Sequence, residues 1–213
     1  MMKEKEEEEE DVFYSPEREK DDERNRVVVV YSNEEEKEKV ELMKVTVEKQ
    51  DPDCKEIHDE TLRRFLRARD LDVEKASAMF LKYIKWRRTF VPKGSIPTSE
   101  ISNEIAQNKM FMQGCDKQGR PIAIVLGARH FACKGGVDEF KRFVVFALDK
   151  LCSRIPHGQG NFTIIGDLEG YGYCNSDVRG YLAALSVLQD YYPERLGKIF
   201  IVHVPYVFMT LWK

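Results

Sequence analysis

The segment Tyr191-Tyr192-Pro193-Glu194-Arg195-Leu196-Gly197-Lys198 runs straight into Ile199-Phe200-Ile201-Val202-His203-Val204 and stops at Pro205. An apolar run bounded by turn residues suits a strand covered on both faces, and such strands belong to parallel sheets. Proline has no N–H to give the ladder and closes the run. The pattern therefore predicts a buried parallel strand over 199–204. Glu194 and Arg195 fall at its polar lip, where pattern alone makes them solvated caps or a local ion pair. His203, inside the run, reads as a core histidine bonded to backbone or water.

Such a strand needs partners. Met110–Gln113 and Pro121–Leu126 read as strands joined by the Asp116-Lys117-Gln118-Gly119 turn, a hairpin signal. Phe162–Leu168 reads as a third strand. Helical spacing separates them: Val137–Arg154 places Phe140, Val144, Ala147, Leu148 and Leu151 on one side, and Ser176–Tyr191 follows the third strand. Strands alternating with helices imply right-handed crossovers and a mainly parallel sheet. Upstream, Glu38–Lys49, Ile57–Arg69 and a helix from Asp72 to about Phe90 precede a break at Val91-Pro92-Lys93-Gly94, and Thr98–Gln107 reads as a fourth, short helix. Leu62, Phe65 and Leu66 share one helix face, and Asp72 is placed to cap the third helix. The expected class is α/β, with a helical N-terminal lobe over 36–107 and an α/β lobe over 108–213.

Charge divides the chain differently. Residues 1–50 hold 10 Lys and Arg against 18 Asp and Glu, whereas residues 51–213 hold 24 against 19. An overall balance of −3 thus joins an acidic tail to a mildly basic body. The run Glu6–Asp11 cannot bury enough apolar area to offset its ordering entropy, so residues 1–35 are expected to be disordered. Val27–Tyr31 has strand character but no evident partner. The tail could also recruit a protein partner. No Lys/Arg block is long enough to form a nucleic-acid arm, and no apolar run is long enough to span a bilayer. Cys54, Cys115, Cys133, Cys152 and Cys174 contain no CxxC pair and read as reduced thiols in a cytosolic setting.

Catalytic signatures are missing. No G-x-x-x-x-G-K-[ST], G-x-G-x-x-G or G-x-S-x-G occurs. His58, His130, His157 and His203 show no paired metal-ligand spacing, so neither metal nor cofactor is expected. Asp167 and Glu169 flank a strand end, where Asp167-Leu168-Glu169-Gly170 reads as a cap and turn.

Four blocks in order resemble the CRAL-TRIO lipid-binding family, which includes the phosphatidylinositol transfer proteins. They are Thr61 to Arg69 followed by Asp72-Val73, Asp116 to Pro121, Ile164 to Gly170, and Tyr192 to Lys198 with its apolar strand. The resemblance implies a non-enzymatic, peripherally membrane-associated cytoplasmic domain that binds or transfers a phospholipid of the phosphatidylinositol type. The rival expectation is a regulatory or interaction module on the same fold without lipid exchange. The resemblance assigns Arg69 and Glu194 to the lipid headgroup, and arginine's planar fork suits phosphate. A salt bridge between the two lobes is the structural alternative for that pair. Met112, Ala123, Phe162, Ile164 and Phe208 fall at pocket-lining positions. The first four stand where the family carries hydroxyls for phosphatidylcholine, and none can hydrogen-bond through its side chain. Asp70 replaces a lysine common beside the arginine. The apolar stretch Tyr206–Lys213 resembles the opening of the family's gate helix, so the lobe is expected to lack its C-terminal strand or strands.

Overall fold

The computed structural model describes residues 33–54 and 57–205. Residues 1–32, with the Val27–Tyr31 patch and most of the expected disordered tail, and residues 206–213 lie outside them. Three helices build the N-terminal lobe: α1 (Asn33–Gln50), α2 (Asp59–Arg67) and α3 (Val73–Phe90). The first helix begins at Asn33, so residues 33–35 are helical where disorder was expected.

Val40, Met43 and Val47 of α1 meet Leu62, Phe65 and Leu66 of α2 and Ala76, Met79 and Phe80 of α3, all buried. Within each set the later residues stand three, four or seven positions from the first, which keeps them on one helix face. Phe65 and Phe80 meet edge to face at 5.1 Å. Asp72 caps α3, its carboxylate accepting the Lys75 N–H at 3.0 Å. The turn before it holds Asp70 and Leu71 in the left-handed region, at φ 51° and 58°. That conformation costs on the order of 1–3 kcal/mol for non-glycine residues. Burial of the Leu71 side chain at 2 % exposure offsets it.

The segment expected as one helix over 98–107 divides into a 3-10 turn, Thr98–Ile101, and α4 (Ser102–Ala106). Strand β1 (Met110–Cys115) pairs antiparallel with β2 (Pro121–Leu126). The hairpin turn is organised by Asp116. Its carboxylate accepts the backbone N–H of Gln118 at 2.8 Å, Arg120 Nε at 2.7 Å and the Thr163 hydroxyl at 2.9 Å. Helix α5 (Gly136–Cys152) leads to β3 (Phe162–Asp167), and α6 (Val178–Tyr191) leads to β4 (Leu196–Val202). The sheet order is β1-β2-β3-β4, with β2, β3 and β4 parallel.

Register decides which residues share a face. Met112 pairs with Ala123, Ala123 with Ile164, and Ile164 with Ile199, so these four form one row across the sheet. That face joins the core: Ala123 and Phe162 pack with Val145, Leu148 and Leu151 of α5, Val187 of α6 and Tyr192. The opposite face carries Phe111, Ile124, Ile165 and Phe200 in a second row. None of those four belongs to the core cluster.

Two expectations fail at β4. The strand is parallel, but Ile199, Phe200 and Ile201 are about half exposed, at 56 %, 49 % and 50 %. Among the described residues β4 is one of the two edges of the sheet, laddered only to β3. A run apolar on both faces shows that cover is wanted; it does not supply the cover. His203 is no core histidine either. It lies just past β4 at φ 51°, exposed, with its ring on Asp167.

Candidate functional site

Arg69 follows the last turn of α2. Its backbone N–H bonds the Leu66 carbonyl at 2.9 Å, and its Nη1 donates to the Ala68 carbonyl at 2.7 Å. Arg69 lines a groove of about 350 Å³ with Lys75, Ala78, Met79, Lys82 and Asp190. Lys75 is held by Asp72 at 2.9 Å and Lys82 by Asp190 at 3.2 Å. Among the described residues Arg69 has no carboxylate partner. Asp70, the residue in place of a lysine, acts electrostatically on Lys75. The groove thus combines Arg69 with two carboxylate-paired lysines and one acid, Asp190, beside Ala78 and Met79. Lys75, Ala78, Met79 and Lys82 stand at helical steps of three, one and three on α3. That stripe was visible in the sequence but carries no motif, and sequence reasoning passed over both lysines.

Glu194 occupies the elbow before β4 in the left-handed region, at φ 57°. Its carbonyl accepts the Asn161 side-chain amide at 2.6 Å, and its carboxylate is exposed. Among the described residues no hydrogen bond or ion pair joins it to Arg69, so that inter-lobe bridge is not formed. Arg67 is the cation that senses Glu194. Its Nε and Nη2 grip the Glu36 carboxylate at 2.5 and 2.9 Å, and this fork, with Glu194 adding to it, holds the guanidinium above its ordinary pKa. Arg64 behaves oppositely: burial and the nearby Arg195 charge lower it to about 10.

The two tyrosines of the elbow join the lobes. Tyr191 stacks flat on Trp86 of α3 with ring centroids 3.7 Å apart. The Tyr192 hydroxyl donates to Asp149 at 2.7 Å, and Arg87 binds the same carboxylate through both terminal nitrogens, at 3.0 and 2.6 Å. Burial, then the Asp149 charge, pushes the Tyr192 phenol far above its ordinary range.

Met112, Ala123, Phe162 and Ile164 lie on one sheet face. Ala123 and Phe162 are fully buried there, packed against α5. Met112 and Ile164 are half-buried. Met112 also borders a second open groove of about 350 Å³, beside Met110, Phe143, Phe146, Lys150 and Arg154. Phe208 lies outside the described residues.

Fold and grooves together define a two-lobed α/β domain with two open grooves, each lined by apolar side chains and by charged ones of both signs. The chain belongs to the CRAL/TRIO family. The family description "CRAL/TRIO domain" matches residues 105–213, and "CRAL/TRIO, N-terminal domain" matches residues 2–82. Among curated proteins it is 27 % identical over 165 residues to the phosphatidylinositol transfer protein CSR1 of Eremothecium gossypii, covering 72 % of this chain and 38 % of that protein. It is 29 % identical over 179 residues to the Sec14 cytosolic factor of Schizosaccharomyces pombe, covering 72 % and 60 %. The SEC14 cytosolic factor of Yarrowia lipolytica is 31 % identical over 172 residues, covering 72 % and 35 %. The chain therefore spans between about a third and three fifths of these relatives' length. The crystal structure of Sfh5 shares the fold, with a TM-score of 0.66 at 19 % identity, covering 85 % of this chain and 75 % of that one. No described helix is long and apolar enough to cross a membrane.

Proposed function

We propose that this domain binds a phospholipid of the phosphatidylinositol type at membrane surfaces and transfers it without making or breaking a bond. The observation that carries the reading is Arg69: an arginine with no carboxylate partner among the described residues, in a groove with two lysines, and the residue to which the resemblance assigns the headgroup. Two relatives of the kind compared above, named for phosphatidylinositol transfer and as Sec14 factors, point the same way. A phosphate there would take a bidentate bond from Arg69 and long-range support from Lys75 and Lys82. Glu194, exposed near Arg67, would act on the headgroup's hydroxyls as an acceptor.

Extraction sets the scale of the task. Exposing roughly 30 methylenes to water would cost about 20–25 kcal/mol, at about 0.8 each. A groove of about 350 Å³ suits a headgroup and falls short of two acyl chains. We therefore assign the chains to the open end of the core face, over Ile164, Ile199 and Ile201, with Met112 at its far side. Ala123 and Phe162, on the same face, are covered by the core side chains of α5 and lie outside that floor.

The test is lipid loading of the purified chain, read by native mass spectrometry after incubation with mixed vesicles. The expected result is one phosphatidylinositol per chain, reduced at least about 10-fold in Arg69→Ala with the unfolding midpoint unchanged. An empty protein, or equal loss of uptake and stability, overturns it. One observation favours the rival regulatory module: Ala123 and Phe162 are packed to zero exposure, so no chamber lies beneath them. An empty protein in the same experiment would support that reading.

A further inference from the structure

Asp167 ends β3, Glu169 sits two residues beyond it, and His203 is the first residue after β4. Each offers one donor atom, and the three atoms lie within 4.8 Å of one another. Asp167 Oδ1 and His203 Nδ1 are 2.8 Å apart. Two donors bound tetrahedrally to one ion at about 2.0–2.2 Å stand about 3.3–3.6 Å from each other. The pair is hydrogen-bonded in this structure, so an ion would take the place of the proton they share and part them by about 0.5 Å.

The backbone holds this arrangement in place. The Leu168 N–H bonds the Val202 carbonyl at 3.0 Å, clamping the turn to the end of β4. The Asp167 carboxylate accepts the Glu169 N–H at 2.9 Å, and Gly170, at φ 71°, lets the turn fold back. The expected cap-and-turn role of Asp167 is present, and it also delivers the second carboxylate. The imidazole is 60 % exposed and the Asp167 side chain 24 %, so the side away from the protein is open.

We propose that Asp167, Glu169 and His203 bind a first-row divalent cation of the zinc class. Two carboxylates and one imidazole suit these metals, whereas calcium and magnesium favour all-oxygen sets. Three protein donors leave positions for water or a ligand oxygen. The ion would brace the ends of β3 and β4 where the chain leaves the sheet toward residue 206. Spacing searches miss it, because His203 is 36 positions from Asp167.

The test is titration of the full chain with Zn²⁺ by calorimetry, and with Co²⁺ by its visible absorption. One equivalent is expected, with the Co²⁺ bands reporting mixed nitrogen and oxygen ligation. His203→Ala should weaken binding at least about 10-fold, since even outer-shell partners are worth that much. Glu169→Gln, which turns an exposed carboxylate into a neutral amide of the same size, should do the same with an unchanged circular dichroism spectrum. The acidic run at Glu6–Asp11 and the five cysteines are untouched in both variants. Absence of a stoichiometric ion overturns the proposal. So does an affinity that both variants leave intact, which would place the ion elsewhere.

Discussion

His130 shows what one buried ring can do to the stability of the domain. It follows the 3-10 turn after β2, with 3 % exposure. Its Nδ1 lies 2.7 Å from Lys109 Nζ, and its Nε2 faces the Asp177 carboxylate at 3.4 Å. Lys109 is itself paired with Glu104, whose other oxygen takes the Cys133 thiol at 2.9 Å. The rings of Phe140 and Tyr181 complete the surroundings at 5.0 and 5.4 Å. Burial, then the Lys109 charge, holds the imidazole below its usual pKa. The unfolded chain therefore takes up a proton that the folded one refuses, so stability is full above about pH 6.5 and falls as pH drops below it. Urea midpoints measured from pH 7.5 to 5 should decline in the parent and lose that slope in His130→Gln. A parallel decline in both would show that other groups set the dependence. Asp116 acts in a separate window. Its bonds to Arg120, Gln118 and Thr163 outweigh its desolvation and hold it well below the ordinary carboxylate range, so its contribution fades only below about pH 4.

Among the elements, β3 against α5 separates a filled floor from a hollow one. Phe162 is at zero exposure in contact with the core side chains of α5. Phe162→Ala should cost about 3–5 kcal/mol, read from the urea midpoint at constant m-value. A loss under about 1 kcal/mol would mean that Phe162 borders a void. Much of this level was legible beforehand. The helices, the hairpin and the four strands were readable because Leu62, Phe65 and Leu66 keep helical spacing and Asp116–Gly119 carries turn chemistry. The Asp72 cap was equally local. What stayed hidden depended on neighbours distant in sequence. Exposure at Ile199–Ile201 depends on whether another strand lies beside them, and the role of His203 depends on Asp167 in the adjacent strand. Arg69 was singled out by resemblance, whereas its partners Lys75 and Lys82 became evident only when α3 and α6 were seen to share a groove.

At the scale of the whole domain, the free edge of β4 adjoins no other described strand, and Leu182 and Leu185 of α6 are also exposed, at 62 % and 48 %. Exposed apolar strand edges template pairing with other chains. The chain should bind a hydrophobic dye and self-associate with concentration in sedimentation experiments. Ile201→Lys should reduce both, because an edge charge blocks strand addition. A monodisperse, dye-negative parent would contradict this. The seam between the lobes has a use of its own. Trp86 is one of only two tryptophans in the chain, and it lies face to face with Tyr191. With Trp212 changed to phenylalanine, the remaining indole becomes a built-in optical gauge. Any event that parts α3 from α6 must alter its emission, with no label attached.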